Sequence, residues 1–140
     1  MSIVASPTSA KPYTILVSDD DPAVRRSLQL VLKARGYTVR GYTSASALAA
    51  DPRAHCADCI IVDYSMPDID GVTLLNQLRC EGWCGRGILI SAYYDDALVA
   101  RALAAGFDDV VPKPFIGRAV LDALDRMVQK RLTGCSGRDC

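Results

Sequence analysis

The chain has 140 residues, half of them apolar, which is enough for one domain of ordinary size with its own core. Sixteen basic residues balance sixteen acidic ones, so no net charge draws the protein to nucleic acid or to an anionic membrane. No apolar stretch approaches the roughly 20 residues that a bilayer span requires, and the N-terminus carries no signal-peptide h-region, so the expectation is a cytoplasmic protein.

Residues 1–12, rich in Ser, Pro, Thr and Ala, read as a flexible leader. The run over 13–18 is β-branched and apolar, reads as a buried strand, and closes on Asp19, Asp20 and Asp21. Asp21 before Pro22 predicts an N-cap followed by an N1 proline. Val24, Leu28, Val31 and Leu32 then mark a helical stripe over 22–35 that Gly36 stops. A second strand is expected over 37–42, after which Ser44 caps a short alanine-rich helix ending near Asp51 and Pro52. Strand three, 59–62, closes on Asp63. Loop chemistry over 66–71 precedes a helix through Val72, Leu74, Leu75 and Leu78, and 82–87 reads as a turn. Residues 88–90 give a fourth strand ending in Ser91, and Asp95 and Asp96 open a helix with Leu98, Val99, Ala102 and Leu103 that stops at Gly106. Val110 and Val111 form the fifth strand, Lys113 sits between two prolines, and an amphipathic helix over 115–132 precedes a polar, flexible tail over 133–140. Five βα units in series predict an α/β fold with a doubly wound, five-stranded parallel sheet, right-handed crossovers and five helices on both faces, in one domain over 13–132.

In such a sheet ligands bind at the carboxyl ends of the strands, where Asp19, Asp20, Asp63 and Lys113 all fall. Carboxylates gathered there repel one another unless a hard cation shares them. Oxygen-only ligation suits Mg²⁺ (or Mn²⁺).

Four segments in order, 17–25 (VSDDDPAVR), 61–71 (IVDYSMPDIDG), 88–92 (ILISA) and 111–115 (VPKPF), resemble the landmark segments of a response-regulator receiver domain. The resemblance spans about 11–132 and implies the flavodoxin-like strand order 2-1-3-4-5. It implies that Asp63 accepts a phosphoryl group from a phosphohistidine on a histidine kinase or phosphotransfer protein of a two-component system. Asp19 and Asp20 match the acidic pair that holds the metal, and Ser65 matches the residue lending it a backbone carbonyl. Ser91 matches the hydroxyl residue that bonds the phosphoryl oxygen, and Lys113 the ammonium that pairs with it. A cis bond between Lys113 and Pro114 is implied as well. The function implied is a signalling phosphoacceptor, not an enzyme beyond its own phosphorylation and dephosphorylation. It switches a surface for a downstream protein, with a homodimer through the helix 4, strand 5 and helix 5 face as one form, and this chain alone binds no nucleic acid or membrane.

Taken singly, each residue has a plainer reading: Asp20 in a capping cluster, Asp63 capping a turn, Ser91 as a strand-end hydroxyl, Lys113 as a solvated lysine. Their joint arrival at one sheet edge is what carries the site. Two positions depart from the family pattern. Ser18 replaces an apolar residue, and Val110 stands where an aromatic switch residue is usual, which shifts a two-state response onto Ser91 and the loop holding Tyr93 and Tyr94. Cys56, Cys59, Cys80 and Cys84 with His55 have zinc-compatible spacing, against a default reading of small core hydrophobes; Cys135 and Cys140 lie in the tail. The rival function is a small Mg²⁺-dependent phosphohydrolase with Asp63 as nucleophile. Such enzymes place a second aspartate two residues on, where this chain has Ser65.

Overall fold

A computed structural model describes residues 13–113 and 116–129. The expected leader, the tail with Cys135 and Cys140, and the Lys113 to Pro114 bond lie outside the described residues. The strands are β1 (Thr14–Ser18), β2 (Thr38–Tyr42), β3 (Cys59–Asp63), β4 (Arg86–Ser91) and β5 (Asp109–Pro112). They form one parallel sheet in the order β2-β1-β3-β4-β5. The connecting helices are α1 (Pro22–Ala34), α2 (Ala45–Ala50), α3 (Gly71–Cys80), α4 (Asp96–Ala105) and α5 (Ile116–Gln129). This is the flavodoxin-like fold expected, and among the described residues no helix is long and apolar enough to cross a membrane.

Side-chain alternation along the strands divides the core in two. Ile15, Val17, Cys59, Ile61, Ile88, Ile90 and Val111 face α1 and α5, where Leu28, Leu32, Val120 and Leu124 meet them. Leu16, Ile60, Val62, Leu89 and Val110 face α2, α3 and α4 through Leu48, Leu74, Leu75, Leu78, Leu98 and Ala102. All five residues of β3 are buried, as a central strand covered on both faces requires, and this explains its unbroken apolar run before Asp63.

Each of the first four helices begins with a side-chain cap at the carboxyl edge of the sheet. Asp21 accepts from the Ala23 N–H, Ser44 from Ala47, Asp70 from Thr73 and Asp95 from Leu98. Gly106 ends α4 at φ 111°, a left-handed conformation that glycine adopts without strain.

Three local expectations are corrected. A 3₁₀ turn, Pro52–Cys56, capped by Asp51, follows α2 where the sequence showed only a stop. β4 begins at Arg86, inside the predicted turn, because Arg86 N–H bonds the Asp58 carbonyl and Gly87 N–H bonds the Asp108 carboxylate. Glycine fits there because the Phe107 ring occupies the space, 2.9 Å from where a Cβ would stand. Trp83, placed in the same turn, is buried and donates its indole N–H to the Ala57 carbonyl at 2.9 Å.

Candidate functional site

β1 and β3 end side by side, which brings their terminal aspartates to one edge. Asp19 is fully buried and held through every polar atom except one. Its N–H bonds the Tyr42 carbonyl at 3.2 Å, its carbonyl accepts from Arg25 Nη1 at 2.7 Å, and its Oδ1 accepts from Asp21 N–H at 2.9 Å. The remaining atom, Oδ2, lies 3.1 Å from Lys113 Nζ. That contact is an ion pair without hydrogen-bond alignment, so Asp19 Oδ2 is the buried side-chain oxygen that lacks a hydrogen-bond partner among the described residues.

Asp63 is buried at the end of β3. Lys113 Nζ donates to its Oδ2 at 3.0 Å, and the Ser65 N–H reaches its Oδ1 at a longer 3.3 Å. Asp20 is exposed on the turn into α1. Asp19, Asp20 and Asp63 each offer a carboxylate oxygen, and these oxygens lie within 4.8 Å of one another.

Three carboxylates face one ammonium, and the charge imbalance shows in both partners. Burial raises the Asp19 carboxyl above its usual range, the charge of Asp63 adds to that, and the Asp21 N–H and Lys113 offset only part. Burial alone would depress the Lys113 ammonium, but its hydrogen bond to Asp63, its ion pair with Asp19 and the charges of both carboxylates outweigh it and raise it. An all-oxygen donor set, an excess of negative charge and an orphaned buried oxygen fit a hard divalent cation such as Mg²⁺ or Mn²⁺.

Ser91 ends β4, Lys113 directly follows the adjacent β5, and the two are joined by a Lys113 N–H to Ser91 carbonyl bond of 2.9 Å. The Ser91 hydroxyl is buried and accepts from Tyr93 N–H at 3.0 Å. Ser65 is exposed on the loop after β3. Asp19, Asp20 and Asp63 are thus in mutual reach, with Lys113 against Asp19 and Asp63 and with Ser65 and Ser91 on the same rim, and Asp21 serves as the helix cap expected of it.

The cysteine and histidine grouping is not assembled. Among the described residues only the three aspartates bring metal-ligating atoms together. Cys59 is fully buried within the α1 and α5 face of the sheet, and burial pushes its thiol far up, while His55 lies 2.8 Å from Glu81.

Three further contacts surround the site without having been foreseen. Arg25 anchors the β1 turn as described, the buried Ser18 hydroxyl donates to Met66 Sδ at 3.3 Å, and Arg101 Nη2 donates to the Tyr64 hydroxyl at 2.8 Å. Nothing in the sequence separates Arg25 from its neighbour Arg26. Only the helix phase, which turns one inward, could have found it.

Residues 15–125 match the family model of the response regulator receiver domain. The transcriptional regulatory protein KdpE of Mycobacterium tuberculosis is 41% identical over 103 residues, covering 72% of this chain and 44% of KdpE. The chain therefore spans about half or less of that longer relative. The chemotaxis protein CheY of Bacillus subtilis is 30% identical over 115 residues, covering 81% of this chain and 96% of CheY. Among solved structures, FixJ-N aligns with a TM-score of 0.73 at 31% identity, covering 84% of this chain and 94% of that one.

Proposed function

This chain belongs to the response regulator receiver domain family, and on that premise we propose that Asp63 is its phosphoacceptor, taking a phosphoryl group from a phosphohistidine of a histidine kinase or phosphotransfer protein. An Asp63 carboxylate oxygen attacks phosphorus, the O–P bond forms as the P–N bond breaks, and the imidazole leaves with the electron pair. The observation that carries this reading is the 3.0 Å contact of Lys113 Nζ with Asp63 beside two further carboxylates. A carboxylate is a weak nucleophile, so the protein contributes position and charge more than covalent chemistry.

Lys113 holds Asp63 Oδ2 and lies where its ammonium can pair with an incoming phosphoryl oxygen. The Ser91 oxygen accepts from Tyr93, which leaves its own proton free to donate to that phosphoryl group. Asp19, Asp20 and Asp63, with the Ser65 carbonyl, would hold Mg²⁺ or Mn²⁺, which when bound neutralises charge on the transferred phosphoryl oxygens. The acyl phosphate then biases the loop after Ser91 and changes a surface read by a downstream protein, the α4, β5 and α5 face being a candidate for self-association.

One experiment separates this reading from a phosphohydrolase. Incubated with acetyl phosphate and Mg²⁺, the chain is expected to gain the mass of one phosphoryl group and to turn over a chromogenic phosphate ester negligibly. Sustained ester turnover that Asp63→Asn abolishes would instead make it a hydrolase.

A further inference from the structure

We propose that Tyr64 and Arg101 form the tie that carries occupancy of the Asp63 site into α4, an inference that rests on the phosphoacceptor reading. Tyr64 directly follows Asp63, and its backbone is pinned on both sides. Its N–H bonds the Ile90 carbonyl at 2.8 Å, and its carbonyl accepts from Gly71 N–H at 3.2 Å. The backbone thus moves with the ends of β3 and β4, while the side chain reaches a helix 37 residues away in sequence.

There the Arg101 guanidinium makes two contacts. Nη2 donates to the Tyr64 hydroxyl at 2.8 Å, and Cζ lies 5.4 Å from the ring centroid, within cation–π range. One residue pair thus couples through a hydrogen bond and through the ring face, and a shift of the ring displaces both together.

α4 is a helix that such a tie can move. Only Leu98 and Ala102 of its ten residues are buried, and one of these is a methyl group. Its N-terminal end is already attached to the site by another route, through the Tyr93 N–H that bonds Ser91 Oγ and the Asp95 cap that follows. A Ser91 hydroxyl drawn toward a phosphoryl group pulls on that end. Tyr64 and Arg101 act one turn or more further along, so the helix is held at two points by residues adjoining the same carboxylate. Two attachments on one weakly packed element can rotate or translate it as a body, where one alone would only fray its first turn.

Val110, packed beneath α4 in the same core cluster, is short and stiff at χ1 and can sweep little volume itself. The moving aromatic on this face is then the ring of Tyr64. Its environment is half-buried against the core, with the polar tip held outward by Arg101, which allows two positions without breaking the sheet.

Backbone amide NMR of the full chain with Mg²⁺ and beryllofluoride tests the tie, alongside intact-mass analysis after acetyl phosphate. In the unaltered chain the α4 amides, 96–105, are expected to shift on addition. In Tyr64→Phe, which keeps the ring and deletes the hydroxyl, and in Arg101→Gln, the phosphoryl adduct and the thermal midpoint should persist while the α4 shifts beyond Leu98 are largely lost. The double variant should lose no more than either single one. Adduct formation with unchanged α4 shifts in both variants would overturn the tie alone. Absence of an adduct in the unaltered chain would overturn the phosphoacceptor reading, and the tie with it.

Discussion

Asp19 bears the heaviest electrostatic cost at the site, since burial and the neighbouring Asp63 charge raise its carboxyl and Oδ2 has no hydrogen bond. Asp19→Asn is therefore expected to raise the thermal stability of the metal-free chain by about 1 kcal/mol while weakening its response to Mg²⁺. Denaturation with and without Mg²⁺ reads both effects, and a destabilised metal-free variant would show that the Lys113 pair outweighs burial. Lys113→Ala acts in the opposite sense, leaving two buried carboxylates uncompensated. With the lysine partly solvated, the loss should be about 1–2 kcal/mol, largely recovered by Mg²⁺. The residues of this cluster were legible in the sequence because each terminates an apolar run, and a parallel sheet delivers all such termini to one edge. Arg25 and the Tyr64 to Arg101 pair were not legible, because helix phase and a separation of 37 residues decide those contacts and neither leaves a local pattern.

At the level of elements, α3 starts hard against β3 and β4. A Cβ at Gly71 would lie 2.6 Å from Leu89 Cδ1 and 3.1 Å from the Asp63 carbonyl. Gly71→Ala should destabilise by about 1–3 kcal/mol, as overpacking does, and slow phosphorylation by displacing Asp63. Urea denaturation and the adduct rate check the two parts. β2 and α2 are joined by the Tyr42 hydroxyl donating to Asp51. Burial, then that bond, pushes the phenol up to about 12, and Arg53 together with Tyr42 holds the Asp51 carboxyl well below its usual range. A phenol raised on folding stabilises below its ordinary value of 10.0, and the contribution is lost as pH climbs from there to about 12. A depressed carboxyl stabilises above its ordinary value of 3.8 and loses that as pH falls. Tyr42→Phe should therefore show its largest stability deficit between those limits, closing at both ends, in urea midpoints measured against pH. The elements themselves were readable from apolar period and caps, as Asp21, Ser44 and Asp95 illustrate. The start of β4 was not, because Gly85 and Gly87 read as a turn. Gly87 is a strand residue making room for Phe107, and Gly85 approaches Trp83 closely enough to exclude a Cβ.

For the whole molecule, balanced charge predicts that the isolated chain binds random duplex DNA weakly, with little dependence on salt. A salt titration showing a steep slope would reveal a phosphate-binding surface that the composition does not. The overall architecture was readable because strand and helix signals alternate in series and right-handed crossovers leave few ways to wind them. The strand order itself came from family resemblance, since alternation alone does not say that β1 lies between β2 and β3. The central claim, that Asp63 accepts the phosphoryl group, is tested most directly by treating the chain with acetyl phosphate and Mg²⁺, trapping the acyl phosphate by borohydride reduction, and mapping the label by tandem mass spectrometry. The expected result is one label, at Asp63, absent without Mg²⁺ and absent in Asp63→Asn; a label on another residue, or one that survives that substitution, would contradict the account.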